Sequence, residues 1–126
     1  MSIPDNLLYN RTHEWVREDG DHVVVGISHY AQEQLGEVVY VELPAEGDAI
    51  DAGQELGTLE SVKAVSEFNA PVAGTVVAVN ERLQDEPNLI NDDPYGDGWL
   101  VRLEGAPGDD LLDAAAYGKL IEEEGD

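Results

Sequence analysis

The feature that most constrains the fold of this chain is a series of short β-forming segments, each closed within a few residues by a turn that contains glycine or proline. Residues 14–17 and 22–27 flank the polar turn at residues 18–21, a pattern that predicts a β-hairpin. Further segments of this kind occupy residues 37–43, 55–59, 64–68, 75–79 and 99–103. Many short strands with such turns are typical of two-sheet folds, so the sequence predicts a mainly β fold, a small antiparallel sandwich or barrel.

Two segments depart from the β pattern and predict helices. Ser28 is a favourable N-cap for a short helix near residues 28–35, which the glycine at position 36 would end. A second helix is predicted near residues 109–124, with Asp109 or Asp110 as its N-cap. Its apolar face would be formed by Leu112, Ala116 and Leu120. Prolines and glycines are frequent in residues 80–98, which are predicted to be mainly loop.

The length of 126 residues is that of about one domain, and we expect a single domain spanning residues 1–126. Because the chain has no cysteine, it can form no disulfide, no cysteine-ligated zinc site and no thiol nucleophile. Residues 1–12 lack the basic and apolar regions of a signal peptide, and no apolar run is long enough to span a membrane. The sequence therefore predicts a cytoplasmic protein.

The charge of the chain is strongly negative, with 28 acidic against 6 basic residues and a formal net charge of -22. Such a surface repels phosphate backbones and anionic lipids, which argues against nucleic-acid and membrane partners. The acids are dispersed along the chain. Since salt screens the repulsion among them, this pattern favours a salt-adapted, halophilic cytoplasm. An acidic docking face for a basic partner is the alternative.

Motifs of catalysis and of metal binding are missing from the sequence. The glycine-rich nucleotide loops, the hydrolase nucleophile elbow and the zinc-protease helix do not occur. The histidines, His13, His22 and His29, lack the spacing of two ligands on one helix face. We therefore predict no catalytic residue and no metal site.

Lys63 is the side chain that stands out chemically. The chain contains one other lysine, Lys119, and yet it places Lys63 at a predicted hairpin tip between the small apolar residues Val62 and Ala64. A lysine at such a tip is ordinarily a solvated surface charge. It also offers a primary amine to which an acyl cofactor can be joined as an amide, in which case the cofactor supplies the chemistry and the fold presents it.

The residues around this lysine resemble a known family. Glu60-Ser61-Val62-Lys63-Ala64 is similar to the lipoyl-attachment motif of the glycine cleavage system H proteins. Other segments resemble the same family in the same order, and they lie at residues 13–16, 26–28, 30–32, 35–36, 39–44, 70–74, 79–80 and 93–99. The resemblance spans about residues 7–123. Biotin carriers typically have Met on both sides of the lysine, and lipoyl domains of 2-oxo acid dehydrogenases usually have Asp-Lys-Ala.

The resemblance implies a barrel-sandwich hybrid of the lipoyl/biotinyl-carrier type, with an attachment hairpin at about residues 55–68. It implies lipoate as an N6-lipoyllysine at Lys63, attached by a lipoylating enzyme. The carrier itself would have no catalytic activity. It would take the aminomethyl group of glycine from a PLP-dependent glycine decarboxylase (P protein) to an aminomethyltransferase (T protein). The reduced lipoyl arm would then pass its electrons to a dihydrolipoamide dehydrogenase (L protein).

The resemblance also implies roles for residues near the arm. Glu14 would contact the amine of the loaded arm, with a surface strand acid as the alternative. The helix at residues 30–35 would line the cleft that holds the arm, although Gln34 stands where some members carry His. Recognition by the lipoylating enzyme is implied for Glu60, Ser61 and Glu67, for which turn geometry is the alternative role. Val62 and Ala64 complete the attachment hairpin around Lys63.

Two other functions stay open at this point. One is an H-like lipoyl carrier that serves lipoate transfer or another pathway, because its attachment motif would be the same. The other is an unmodified binding module that kept the fold and lost the cofactor, against which the intact motif at residues 60–64 argues.

Overall fold

The computed structural model describes residues 3–105, 107 and 111–125, and it contains two antiparallel sheets. The strands are β1 (Leu8–Tyr9), β2 (Glu14–Asp19), β3 (His22–Ile27), β4 (Val38–Glu42), β5 (Ala49–Ile50), β6 (Glu55–Ser61), β7 (Val65–Asn69), β8 (Gly74–Val79) and β9 (Val101–Glu104). The larger sheet has the order β1-β2-β3-β9-β8-β5, and the smaller has the order β4-β6-β7. The predicted mainly β, antiparallel sandwich is confirmed.

The main hydrophobic core combines residues of both sheets. Val16, Val23 and Val25 come from the larger sheet, and Leu59 and Phe68 come from the smaller. Side chains alternate between the two faces of a strand, so in β3 the core residues are Val23, Val25 and Ile27. The two sheets are therefore packed face to face, as in a sandwich.

A second hydrophobic cluster covers the other face of β2 and β3. Trp15 and Val24, which lie between the core residues of these strands, pack there with Tyr9 and Tyr117. The rings of Tyr9 and Tyr117 are stacked at a centroid distance of 4.4 Å. Tyr117 belongs to helix α3 (Ala114–Gly125), so this cluster fixes the C-terminal helix to the larger sheet.

The short helix predicted near residues 28–35 is confirmed as α1 (His29–Leu35). The Ser28 hydroxyl accepts a hydrogen bond from the Ala31 amide at 3.1 Å, as an N-cap does, and the helix ends at Gly36. Residues 80–98, predicted to be mainly loop, are mainly turns and irregular structure, with a 3-10 helix at Glu81–Gln84 and the one-turn helix α2 (Leu89–Asp92). No described helix is long and apolar enough to cross a membrane.

The start of the C-terminal helix differs from the prediction. The expected N-caps, Asp109 and Asp110, lie outside the described residues, but Leu112 is not helical. Its backbone exchanges two hydrogen bonds with Tyr9, at 2.7 and 2.8 Å, which hold it in an extended bridge. Helix α3 consequently begins at Ala114, and the Asp113 carboxylate accepts from the Ala116 amide at 2.8 Å.

Candidate functional site

Lys63 lies at the tip of the hairpin formed by β6 and β7. Ser61 shapes this tip, because its hydroxyl oxygen accepts hydrogen bonds from the amides of Lys63, at 3.2 Å, and Ala64, at 3.0 Å. The Ser61 amide in turn donates to the Ala64 carbonyl at 2.8 Å. Val62, Lys63 and Ala64 are all exposed, whereas Ser61 is buried. The turn therefore presents the lysine to solvent from a rigid base.

The segment after α1 supports the hairpin tip from one side. The Val62 amide donates to the Glu37 carbonyl at 3.0 Å. A Cβ built on Gly36 would lie 3.0 Å from the Lys63 Cε and 3.6 Å from its Cδ. The aliphatic part of the lysine consequently lies along the glycine backbone at the end of α1. Among the ion pairs within residues 3–105, 107 and 111–125, none involves the Lys63 amine.

A cleft of about 450 Å³ opens beside the tip. One wall is formed by the residues that directly follow the lysine, Ala64, Val65 and Ser66. Helix α1, the turn before β2 and helix α3 form the rest, with lining residues Tyr30, Ala31, Gln34, Leu35, Thr12, His13 and Glu124. The cleft thus adjoins the lysine and combines apolar walls with a few polar groups, as ligand-binding clefts do.

Glu14 lies behind this cleft and is 2% exposed, whereas every other acid in the described part of the chain is exposed. One carboxylate oxygen accepts hydrogen bonds from Thr12 Oγ1 and from Asn10 Nδ2, the latter at 3.1 Å. The other accepts from the Asn69 amide at 3.0 Å, which ties β2 to the end of β7. Burial raises the pKa of this carboxyl, and the donated hydrogen bonds oppose that rise.

His13 connects the floor of the cleft to the C-terminal helix. Its backbone has a φ of 79°, in the left-handed region that few residues other than glycine adopt. Its Nδ1 is 2.8 Å from the Tyr117 hydroxyl, and its Nε2 is 3.0 Å from a Glu124 carboxylate oxygen. The Tyr117 hydroxyl also lies 2.5 Å from Ser28 Oγ, the cap of α1. This network fixes both helices that border the cleft.

A second depression, of about 370 Å³, lies on the other side of α1. Its lining includes Gly36, Glu37 and Asn91. The Asn91 side-chain amide donates to the Gly36 carbonyl at 2.8 Å and to Gln32 Oε1 at 2.9 Å, and its oxygen accepts from the Val38 amide at 2.8 Å. Asn91 therefore holds the end of α1, and with it the support of Lys63, in place.

The structure brings together some of the sequence-derived candidates and separates others. Ser61, Val62 and Ala64 surround Lys63 at the tip, Glu60 is exposed on β6 and Glu67 is exposed on β7. Glu14 does not line the cleft. Thr12, whose hydroxyl donates a hydrogen bond to Glu14, does line it. Sequence reasoning missed three residues that shape the site, because their roles depend on contacts distant in the chain: Thr12, Asn91 and Tyr117.

The fold and the site define a class of protein. A small two-sheet sandwich that presents one lysine at the tip of a β-hairpin is the architecture of the lipoyl-carrier type. Comparison with known proteins specifies the family. A family model described as Glycine cleavage H-protein matches residues 7–124. The chain belongs to this family.

Individual relatives agree over nearly the whole length. The chain is 54% identical over 125 residues to the glycine cleavage system H protein of Nitratidesulfovibrio vulgaris strain DP4, covering 98% of each chain. It is also 54% identical to the probable glycine cleavage system H protein of Haloarcula marismortui, covering 97% of this chain and 98% of the relative. The crystal structure of a glycine cleavage system H protein from Mycobacterium marinum superposes with a TM-score of 0.87 at 38% identity, covering 98% of this chain and 99% of that one.

Proposed function

We propose that this chain is the lipoyl carrier of the glycine cleavage system, with lipoate joined in amide linkage to Lys63. The observation that carries the proposal is the exposed lysine at the tip of the β6–β7 hairpin, in a member of the Glycine cleavage H-protein family. Its partners are the glycine decarboxylase, the aminomethyltransferase, the dihydrolipoamide dehydrogenase and a lipoylating enzyme. The carrier is a substrate of these enzymes and has no catalytic activity of its own.

The residues present fit a lipoyl group. The Lys63 amine is exposed and forms no ion pair within the described residues, so an acylating enzyme can reach it. Amide formation removes its charge and leaves a long apolar arm, for which the adjoining cleft of about 450 Å³ offers apolar walls. When bound, lipoate supplies a dithiolane that accepts the aminomethyl group and two electrons.

The cleft shelters the loaded end of the arm from water. Tyr30 and Leu35 provide buried apolar surface on the α1 side, and Ala64 and Val65 close the side next to the lysine. Excluding water from this space slows hydrolysis of a labile aminomethyl adduct.

Glu14 contacts the amine of the loaded arm in this proposal. Its carboxylate lies one hydrogen bond behind Thr12, which faces the cleft. A nearby ammonium group stabilises the charged form of a buried carboxylate with a raised pKa, because the opposite charge offsets the cost of burying the carboxylate. A small movement of Thr12 would be needed to open the contact.

The hairpin also serves recognition by the lipoylating enzyme. Ser61 fixes the turn that presents the amine, and its contribution is geometric, since the hydroxyl is buried and bonded to the turn amides. Glu60, which is exposed on β6 immediately before Ser61, is placed to contact the enzyme directly.

The strong acidity supports the proposal that the protein works in a salt-adapted cytoplasm. All acids of the described residues except Glu14 are exposed, so they form an acidic surface coat. Such a coat is self-repelling at low ionic strength and is relieved by salt.

Reconstitution with the other three components tests the proposed pathway. Protein lipoylated in its host should support glycine-dependent release of carbon dioxide, whereas the Lys63→Arg variant should support none. Lys119→Arg is the matched control, because it changes the other lysine of the chain in the same way. An H-like carrier for another pathway would be lipoylated at Lys63 and yet inactive in this assay, and an unmodified binding module would not be lipoylated.

A further inference from the structure

The large hydrophobic side chains that are exposed in the described part of the chain lie together around Lys63. They are Val39, Tyr40, Val62 and Val65, with 47–69% of their surface accessible. Val39 and Tyr40 lie on β4, and Val62 and Val65 flank the lysine at the hairpin tip. On a surface otherwise rich in carboxylates, this concentration of exposed apolar side chains around one lysine marks a site of interaction.

An irregularity in β4 creates part of the patch. The pairing of β4 with β6 shifts between Val38 and Tyr40, which is a β-bulge at Val39. The bulge breaks the alternation of buried and exposed residues, so Val39 and Tyr40 are exposed in succession between the buried Val38 and Val41. Bulges re-aim side chains at functional edges of sheets, and this one exposes two consecutive apolar residues of β4.

Cross-strand pairing places acids beside this apolar surface. Tyr40 is opposite Glu60, which is opposite Val65, and these residues form one row across the three strands. Two residues further along each strand, Glu42, Thr58 and Glu67 form a second row in the same order of strands. Paired residues share a face and side chains alternate along a strand, so two rows that are two residues apart lie on the same side of the smaller sheet.

The acids of this face have no cationic partner among the described residues. The neighbouring carboxyl of Glu67 is the main cause of a raised pKa of Glu55. Glu42 adds to the same repulsion. A partner with basic side chains would relieve it, which gives the face a charge complement.

We propose that the patch of Val39, Tyr40, Val62 and Val65, together with Glu42, Glu60 and Glu67, is the docking surface for the enzyme that acylates Lys63. That enzyme presents an apolar socket bordered by basic side chains. The inference rests on the proposed function and extends it, because it places the contact on β4 as well as on the hairpin.

The position of the patch favours the acylating enzyme over the enzymes that process the arm. In the acylation step the lysine nitrogen attacks the carbonyl carbon of an activated lipoyl donor such as an acyl adenylate. The C–N bond forms, the C–O bond to the phosphate breaks with its electron pair, and the nitrogen releases a proton. The enzyme must therefore bring its active site to the lysine nitrogen itself, next to the patch, whereas arm-processing enzymes act at the distant sulfur end.

Steady-state acylation of the unmodified protein tests the docking surface. The purified lipoylating enzyme of the host would be supplied with lipoyl adenylate, and the product would be measured by intact mass at several concentrations of the carrier. Tyr40→Ser should raise the KM for the carrier about tenfold without changing kcat, and Tyr40→Phe should restore a KM near that of the wild type. Circular dichroism would verify that the variants are folded.

Charge reversal provides a matched pair. Glu67→Lys, on the proposed face, should raise the KM severalfold more than Glu18→Lys, which makes the same change in net charge at an exposed position of the larger sheet. Equal effects of the two reversals, or a KM for Tyr40→Ser within twofold of the wild type, would overturn the docking surface.

Two further results separate this proposal from its alternatives. Carrier lipoylated in advance should be reduced by dihydrolipoamide dehydrogenase at the same KM in Tyr40→Ser as in the wild type. If that KM rises while acylation is unchanged, an arm-processing enzyme occupies the patch and the proposal is wrong. If the wild type accepts no lipoyl group at Lys63, the proposed function fails and the docking surface fails with it.

Discussion

The backbone of Gly36 lies against the side chain of Lys63, so that a Cβ on the glycine would be 3.0 Å from the lysine Cε. Gly36 also has a φ of 88°, a conformation that L side chains rarely adopt. The same residue therefore ends helix α1 and makes room for the Lys63 side chain. This relationship couples the geometry of the helix to the direction of the lysine side chain.

Gly36→Ala should lower both stability and acylation. The positive φ alone should cost about 1–3 kcal/mol of unfolding free energy, and the new methyl group should displace the lysine and slow its acylation severalfold. Gly20→Ala is the matched control, because Gly20 has a φ of 66° but open space around its Cβ position. Chemical denaturation and acylation rates would be measured for both. Equal acylation rates in the two variants would contradict the packing role of Gly36.

The buried carboxyl of Glu14 should give a pH-dependent difference in stability. Its pKa in the folded state is raised above 4.5, so the folded protein holds this proton more tightly than the unfolded chain does. The stability that this proton contributes to the folded state is fully present below the unfolded pKa of about 4.5. It is lost as the pH rises from about 4.5 through the folded pKa.

Glu14→Gln isolates this effect, because the other carboxyls titrate alike in both proteins. The unfolding free energy of the wild type minus that of the variant should be larger at about pH 4 than at about pH 8. Urea unfolding at each pH would measure it. A difference that grows with rising pH would show that the hydrogen bonds from Asn10, Thr12 and Asn69 outweigh the cost of burial.

Tyr117→Phe should loosen the helices on both sides of the cleft. The variant keeps the ring stacked on Tyr9 and loses the hydroxyl that contacts Ser28 and His13. Ser28 keeps its hydrogen bond from Ala31 and His13 keeps its contact with Glu124, so the cost is that of two lost hydrogen bonds, about 1–3 kcal/mol. Tyr40→Phe removes an exposed hydroxyl and should change the stability little. Thermal unfolding of the two variants would be compared, and equal melting temperatures would contradict the network.

Salt should stabilise the fold. The net charge is -22, and all acids of the described residues except Glu14 are exposed, so raising potassium chloride from about 0.1 to about 2 M should increase the unfolding free energy by screening repulsion. A variant in which four exposed acids are replaced by their amides should be more stable at low salt, and its stability should depend less on salt. The four acids are Glu18, Asp21, Glu122 and Glu123. Stability that is independent of salt in both proteins would contradict the halophilic assignment.

Much of the fold follows from local sequence patterns. Valine-rich strands with glycine turns, such as the hairpin of β2 and β3, are recognisable because both the pattern and the turn are local. Strands β1 and β5 are two residues long and carry no such pattern. They exist because neighbouring strands offer free backbone groups, which sequence alone does not reveal.

The site was predictable where a residue acts by its position in the chain. Lys63 and Ser61 belong to one turn, and their neighbours in sequence are their neighbours in space. Glu14 was different, because a single acid on a strand gives no sign that it is buried. Its burial depends on Asn69, which is 55 positions away in the chain, and on the packing of the two sheets.

Intact and peptide mass measurement of protein from its native host tests the central claim most directly. The account predicts one addition of lipoyl mass, mapped to Lys63, absent from Lys63→Arg and retained in Lys119→Arg. A biotin-sized addition would contradict the assigned cofactor. An unmodified Lys63, in cells that lipoylate other proteins, would contradict the carrier function itself.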